Sequence, residues 1–263
     1  MTEDRQTIWI TGAGKGMGRA LALRLAGDGH QVAVSSRTEA DLNSLASEAA
    51  GLPGQIISFP LDITSADDAA STIDAIENRM GPIDLAILNA GTHQAMWLDE
   101  FDVDKVRHLI DVNFMGTVNC LVPLMKRFKA RTASTGSAPA DKGHIAVVAS
   151  VAGYRGLPSA GAYSASKAGL IALCEALKPE LDAVGIRLTL INPGFVDTPL
   201  TRQNDFEMPF LISEDAAVDH IMKGLQKTGF EIVFPLPMKL IMGALRMLPD
   251  RLFFYLTRRM VRK

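Results

Sequence analysis

The sequence predicts a single α/β domain in which a doubly wound parallel sheet of about seven strands carries helices on both faces. Three observations lead there. β-rich runs alternate strictly with helical patterns, which implies a parallel sheet built from right-handed crossovers. The runs Val32-Ala33-Val34, Leu85-Ala86-Ile87-Leu88 and Ile145-Ala146-Val147-Val148 are apolar without alternation, as expected for strands covered on both faces. The chain of 263 residues shows no internal repeat and fits one large domain.

Strands are expected at residues 7–11, 31–35, 55–60, 83–89, 144–150, 187–192 and 231–234. Helices are expected near 18–27, 40–50, 65–80, 103–129, 161–184 and 213–226. Residues 130–143, rich in Ala, Ser, Thr, Gly and Pro, read as a mobile surface loop. After residue 237 comes a tail with two apolar helical stripes. The first is Leu240, Ile241, Ala244, Leu245 and Leu248; the second is Leu252, Phe253, Leu256 and Met260, separated from it by Pro249-Asp250.

Hydrophobic content of 48% and charged content of 21% are those of an ordinary globular protein. A net charge of -2 argues against general nucleic-acid binding, but the distribution is uneven. Residues 238–263 hold seven Lys or Arg and one acid, leaving 20 basic and 28 acidic residues before them. Arg251, Arg258, Arg259 and Arg262 take much of the remaining surface of the second stripe. A basic amphipathic segment of this kind suits a membrane surface, and it equally suits packing on the protein itself or on another subunit. Residues 1–6 are polar and no run reaches the ~18 apolar residues of a membrane span, so a cytoplasmic protein is expected. Cys120 and Cys174 sit in apolar stretches and read as buried free thiols. His93, His108, His144 and His220 lack metal-ligand spacing, so no metal site is expected.

Two local patterns carry chemistry. The first strand runs into Thr11-Gly12-Ala13-Gly14-Lys15-Gly16-Met17-Gly18 and then a helix. Glycines at Gly12, Gly16 and Gly18 allow a tight turn and a close approach of backbone N–H groups to a phosphate at the helix start. At the end of the second strand stand Ser35-Ser36-Arg37, with no carboxylate to receive ribose hydroxyls. Lys15, Ser36 and Arg37 together suit a 2′-phosphate, which favours NADP(H) over NAD(H); Arg37 also fits a solvated helix-entry residue. The second pattern is Tyr163 and Lys167, one helical turn apart in Tyr-Ser-Ala-Ser-Lys, with Ser150 upstream. A phenol titrates near 10, and a nearby fixed cation lowers that value toward the range useful in proton transfer. Ser150 adds a hydroxyl hydrogen bond at the same reacting oxygen, or it caps the next turn.

These motifs, with Asn89-Ala90-Gly91, Asn113 and Pro193-Gly194, resemble the short-chain dehydrogenase/reductase family in order and spacing over residues 7 to about 198. The resemblance implies a Rossmann-type fold and a set of roles. Tyr163 would be the acid/base, Lys167 would lower its pKa and hold the nicotinamide ribose, and Ser150 would bind the substrate oxygen. Asn113 would keep a water beside Lys167, unless it is simply paired inside a helix interface. Asp62 and Ile63 would edge the adenine, although Asp62 also fits a local cap. Asn89, Ala90 and Gly91 would back the cofactor, and Pro193, Gly194, Val196 and Thr198 would grip the carboxamide. The segment at about 195–213 would be the substrate lid; Leu200, Phe206, Met208, Phe210 and Leu211, with Met96, Trp97, Val151, Tyr154 and Leu157, make its expected lining apolar.

The expected protein is an NADP(H)-dependent oxidoreductase interconverting a carbonyl and a secondary alcohol on an apolar small molecule. Its catalytic unit would be residues 1–237, followed by a helical extension at 238–263. By family analogy it forms a dimer or tetramer, with peripheral membrane contact through 238–263 an open alternative. Double-bond reduction or epimerisation is the nearest enzymatic rival. An NADP(H)-sensing binding protein acting through the tail is the non-enzymatic one.

Overall fold

The computed structural model describes residues 5–135, 143–204 and 206–261. Seven strands form one parallel sheet: β1 (Thr7–Thr11), β2 (Gln31–Ser35), β3 (Gln55–Ser58), β4 (Leu85–Leu88), β5 (His144–Val148), β6 (Arg187–Pro193) and β7 (Glu231–Phe234). Their order across the sheet is β3-β2-β1-β4-β5-β6-β7, and every neighbouring pair is parallel. Strand order therefore reverses between β1 and β4. The crevice beyond the carboxyl ends of these two strands is where such a sheet receives a ligand.

Both faces are covered because alternate residues of each strand enter different cores. Ile8, Ile10, Val32, Val34, Leu85 and Ile87 go to one side, beneath α1 (Gly16–Gly27), α2 (Glu39–Glu48) and α7 (Glu214–Leu225). Trp9, Ala33, Ala86 and Leu88 go to the other, beneath α3 (Ala66–Met80), α5 (Gly116–Thr135) and α6 (Gly161–Ala183). Trp9 is fully buried, and its indole N–H is satisfied by Ser35 Oγ at 3.0 Å. Helix starts follow the sequence where a cap is present: Ser65 Oγ accepts from Asp68 N, and Ser213 Oγ accepts from Ala216 N. Cys120 and Cys174 are buried free thiols.

Three expectations need correction. The long helix expected at 103–129 is two helices, α4 (Val103–Ile110) and α5, joined by a π-helical turn at Asp111–Met115. A π-turn carries one extra residue, which re-aims what it holds, and Asn113 sits in it. The loop expected at 130–143 begins as helix, since α5 runs to Thr135; residues 136–142 lie outside the described residues. The tail forms α8 (Leu236–Met247) and α9 (Asp250–Thr257), broken at Pro249, but on a different face from the one the stripes suggested. Met238 and Met242 face the body with Val151, joined by Leu245 of the first stripe, while Leu240 and Ile241 are exposed. From the second stripe Phe253 alone is buried, under the Arg155 guanidinium at 4.2 Å from its ring; Leu252, Leu256 and Met260 are exposed, and Arg262 is outside the described residues. No described helix is long and apolar enough to cross a membrane.

Candidate active site

A cleft of about 520 Å³ opens at the carboxyl ends of the central strands. Its wall includes Gly12, Lys15, Gly16, Met17, Gly18, Ser36, Arg37, Asp62, Ile63, Asn89, Ala90 and Gly91. Ser150, Tyr163, Lys167, Pro193, Gly194, Val196 and Thr198 complete it. Every cofactor position expected from sequence is there. Asn113 is the one expected site residue behind the wall, fully buried.

The glycine-turn end of the cleft is shaped by backbone. Gly12 has φ +66, and a Cβ there would stand 2.7 Å from Ala90 Cα. At Gly18 a Cβ would meet the Gly12 carbonyl oxygen at 2.5 Å and Asn89 Nδ2 at 2.6 Å. Asn89 makes this closeness useful, donating from Nδ2 to the carbonyls of Thr11 and Gly12 while its own N–H donates to Thr11 Oγ1. The first turn of α1 carries no acidic residue, and its N-cap Lys15 makes no side-chain cap. Its amide N–H groups thus face the cleft at the positive end of the helix dipole, an arrangement that fits a pyrophosphate.

The end of the cleft beside β2 holds a residue that was not expected from the sequence. Asp41, in the first turn of α2, reaches the cleft and pairs with Lys15 at 3.3 Å. Its carboxylate lies beside Gly14 and Ser36, where a Cβ on Gly14 would meet Ser36 Oγ at 3.0 Å. Sequence placed no acid at the end of β2, correctly, but the helix after it returns one. Asp62 accepts from Thr64 N at 3.0 Å and Thr64 Oγ1 at 2.8 Å, a local turn cap at the edge of the cleft. The Thr64 backbone N–H leads in holding its carboxyl below the usual range, aided by Thr64's hydroxyl and Arg37.

At the other end, Ser150 caps the short turn Val151–Gly153 by accepting from Ala152 N at 3.1 Å, and donates to the Pro193 carbonyl at 3.4 Å. The capping reading of Ser150 is the one seen, and the same hydroxyl also hydrogen-bonds with Tyr163. Burial pushes the Tyr163 phenol above its ordinary value, and the hydrogen bond with Ser150 pulls it partly back. The Lys167 ammonium stands 5.8 Å from the Tyr163 ring centroid and donates to the Val148 carbonyl at 3.0 Å. Burial brings Lys167 itself down to about 8.

Asn113 zips the strand-four loop to the helix that carries Tyr163 and Lys167. Its Oδ1 accepts from Thr92 N at 2.7 Å, and its Nδ2 donates to the Thr92 carbonyl at 2.9 Å and to Ser166 Oγ at 3.1 Å. Ser166 in turn donates to the Tyr163 carbonyl at 2.7 Å. The side chain of Asn113 is therefore the helix-interface pairing that sequence left open. His93 is a second residue the sequence passed over: its ring meets Tyr163 edge-on, with centroids 4.7 Å apart. Burial lowers its pKa. Its place just beyond Asn89-Ala90-Gly91 was the available signal.

The apolar lining is narrower than expected. Leu200 lines the cleft, whereas Met96 packs with Leu109 and Ala162, and Val151, Tyr154 and Leu157 pack with the tail. Phe206, Phe210 and Leu211 are partly exposed, Phe206 standing edge-on to Phe195 at 5.9 Å.

A parallel sheet with a glycine-lined helix start at its switch point, and a Ser, Tyr and Lys converging across the same cleft, defines a nucleotide-binding oxidoreductase scaffold. The chain belongs to the short chain dehydrogenase family, whose pattern it matches over residues 6–208. An uncharacterized oxidoreductase of Myxococcus xanthus is 35% identical over 255 residues, 97% of each chain. Among solved structures, a short chain dehydrogenase from Burkholderia cenocepacia in complex with NADP covers 98% of each chain at 25% identity and a TM-score of 0.79. A short chain dehydrogenase/reductase from Burkholderia phymatum in complex with NAD has the same fold, with a TM-score of 0.81 at 21% identity over 92% of this chain and 93% of its own.

Proposed function

We propose that this protein is an NADP(H)-dependent oxidoreductase interconverting a carbonyl and a secondary alcohol on an apolar small molecule, with Tyr163 as the acid/base. The observation that carries the reading is the convergence of Ser150, Tyr163 and Lys167 on the cleft that also holds the glycine turn. When bound, the nicotinamide supplies or accepts a hydride. The chain's own part is proton handling. The raised pKa keeps the Tyr163 phenol protonated near neutral pH, as a donor to a carbonyl oxygen must be. Ser150 offers a second hydrogen bond to that oxygen as negative charge develops on it. Lys167, whose Nζ donates to the Val148 carbonyl at the cleft, would hold the nicotinamide ribose hydroxyls.

Lys15, Ser36 and Arg37 on the cleft wall support NADP(H) over NAD(H). The Asp41 partner of Lys15 weakens the case from that cation and leaves Arg37 as its main support. Leu200 at the cleft and the partly exposed Phe206, Phe210 and Leu211 of the 195–213 segment support an apolar substrate. We read residues 1–237 as the catalytic unit and 238–263 as its extension, and a dimer or tetramer as the assembled form on the family's example.

The test is NADPH oxidation over a panel of hydrophobic aldehydes and ketones, with NADH and Tyr163→Phe as controls. Turnover that needs NADPH and falls by about 10²–10⁴ in Tyr163→Phe supports the reading. Carbonyl turnover that survives intact in Tyr163→Phe overturns it. Tight NADPH binding with no turnover on any carbonyl would favour a cofactor-sensing binding protein.

A further inference from the structure

We propose that the outward face of α8 and α9 docks this enzyme on an anionic lipid surface. The argument begins with α8, which is apolar on two opposite sides. Met238 and Met242 face inward, packed with Val151. Leu236, Leu240 and Met247 recur on the other side of the helix, 63%, 64% and 86% exposed. A helix apolar on both sides has half of that surface without a partner in water. In α9 the same arrangement continues, with Phe253 and Thr257 turned in and Phe254 and Tyr255 turned out.

Charge decides the occupant. The described part of the tail carries Lys239, Arg246, Arg251, Arg258 and Arg259. Its one acid, Asp250, is tied to Arg155 at 2.5 Å. Lys239 and Arg246 lie along the flank of α8 between its two apolar sides, and Arg259 covers the outward Tyr255 ring at 5.3 Å while donating to its hydroxyl at 3.1 Å. Arg246 is turned to the body, 3.9 Å from Glu175 and over the Tyr154 ring, and a two-fold contact between copies would bring a face carrying the other four cations against its own equivalent. Exposed Leu, Met, Phe and Tyr rimmed by Lys and Arg, on a body with 20 basic and 28 acidic residues before the tail, suit headgroups of opposite charge above an apolar layer. The acidic body is repelled from such a surface, so the tail faces it.

The position is informative as well. Met238 on the inner side of α8 fills the space beside Gly194, where a Cβ would stand 2.8 Å from its Cγ, and its neighbour Val151 follows Ser150. The docking face is therefore one helix thickness, about 10 Å, from the substrate end of the cleft. This gives the apolar substrate proposed above a source, the bilayer, and to that extent rests on that reading.

The experiment is sedimentation of the full chain with vesicles of phosphatidylcholine alone or with phosphatidylglycerol added. We expect at least about tenfold stronger partitioning onto the anionic vesicles, weakening as salt rises. Leu240→Glu with Met247→Glu should lower it at least about tenfold, with thermal unfolding and NADPH affinity unchanged, because both side chains are in solvent. Arg251→Glu with Arg259→Glu should remove the salt-dependent part, about fivefold or more for each cation. Failure to partition, equal partitioning onto neutral vesicles, or wild-type partitioning by the Leu240/Met247 variant would each overturn the proposal. So would a wild-type dimer in solution that the same variant turns into monomers, since the face would then be a subunit contact. Vesicle binding without carbonyl turnover would leave docking standing and sink the proposed reaction instead.

Discussion

Lys167 Nζ lies 3.0 Å from the carbonyl oxygen of Val148 and donates to it. Lys167 is 4% exposed, and burial brings its pKa from 10.5 to about 8. A buried cation held by one neutral carbonyl is a cost to the fold that a catalytic role would explain. The sign follows from proton counts. Below pH 8 the lysine is charged in both folded and unfolded chains, and the folded state bears the full burial penalty; between pH 8 and 10.5 only the unfolded chain keeps its proton, so stability rises with pH. Lys167→Met should therefore raise stability at pH 7 by about 1–2 kcal/mol, allowing for the orphaned Val148 carbonyl, while abolishing turnover. Urea unfolding at pH 7 and at pH 9.5 checks both halves, the gain being smaller at the higher pH.

His144 gives the opposite end of the pH range. It is buried at the start of β5 with its Nε2 2.9 Å from Thr189 Oγ1, and burial, with Arg187 adding, pushes it down to about 3. The unfolded chain protonates this histidine below about pH 6.5 and the folded chain does not, so stability falls as pH drops from 6.5. The expected slope is about 1.4 kcal/mol per pH unit from this group. His144→Gln, which keeps a partner for Thr189, should flatten the denaturant midpoint between pH 6 and 4.5.

Asp41 and Lys15 form a partly exposed pair at 3.3 Å on the cleft wall. Removing the carboxylate with Asp41→Asn should change stability by less than about 1 kcal/mol. It should nevertheless tighten NADPH several-fold relative to NADH, because Lys15 then lacks its competitor for a 2′-phosphate. Arg37→Asp should do the reverse. Fluorescence titration of both cofactors measures the ratio, and equal losses for both in Arg37→Asp would undo the proposed preference.

Asn113 joins Thr92 to Ser166 through three hydrogen bonds, all at or below 3.1 Å. Asn113→Ala should destabilise by about 2–3 kcal/mol and leave the Thr92 N–H without its acceptor. Because Ser166 also holds the Tyr163 carbonyl, kcat should fall more than NADPH affinity. A loss confined to stability, with kcat intact, would show that the clamp does not position Tyr163.

Much of this protein was legible in its residues one after another. Unbroken apolar runs such as Ile145 to Val148 fit strands covered on both faces, and their alternation with helical patterns points to a parallel sheet. Gly12, Gly16 and Gly18 were recognisable because only glycine admits the positive φ or the backbone closeness that the turn requires, and Tyr163 and Lys167 because a spacing of four residues fixes a shared helix face. These are local constraints, and local constraints are written in sequence.

Tertiary structure decided what depends on residues far apart in the chain. Asp41 reaches Lys15 from another helix, and His93 stands against Tyr163 across 70 positions. The π-turn that aims Asn113 at Thr92 and Ser166 leaves no period in the residues that form it. The tail shows the limit most plainly: with apolar residues on two opposite sides of α8, periodicity favoured a stripe with Leu240 and Ile241, but the space beside Gly194 and Val151 accepts Met238 and Met242, with Leu245, instead. Which of two apolar sides of a helix is buried is set by the shape it meets, a property of the surface beneath it rather than of its own sequence.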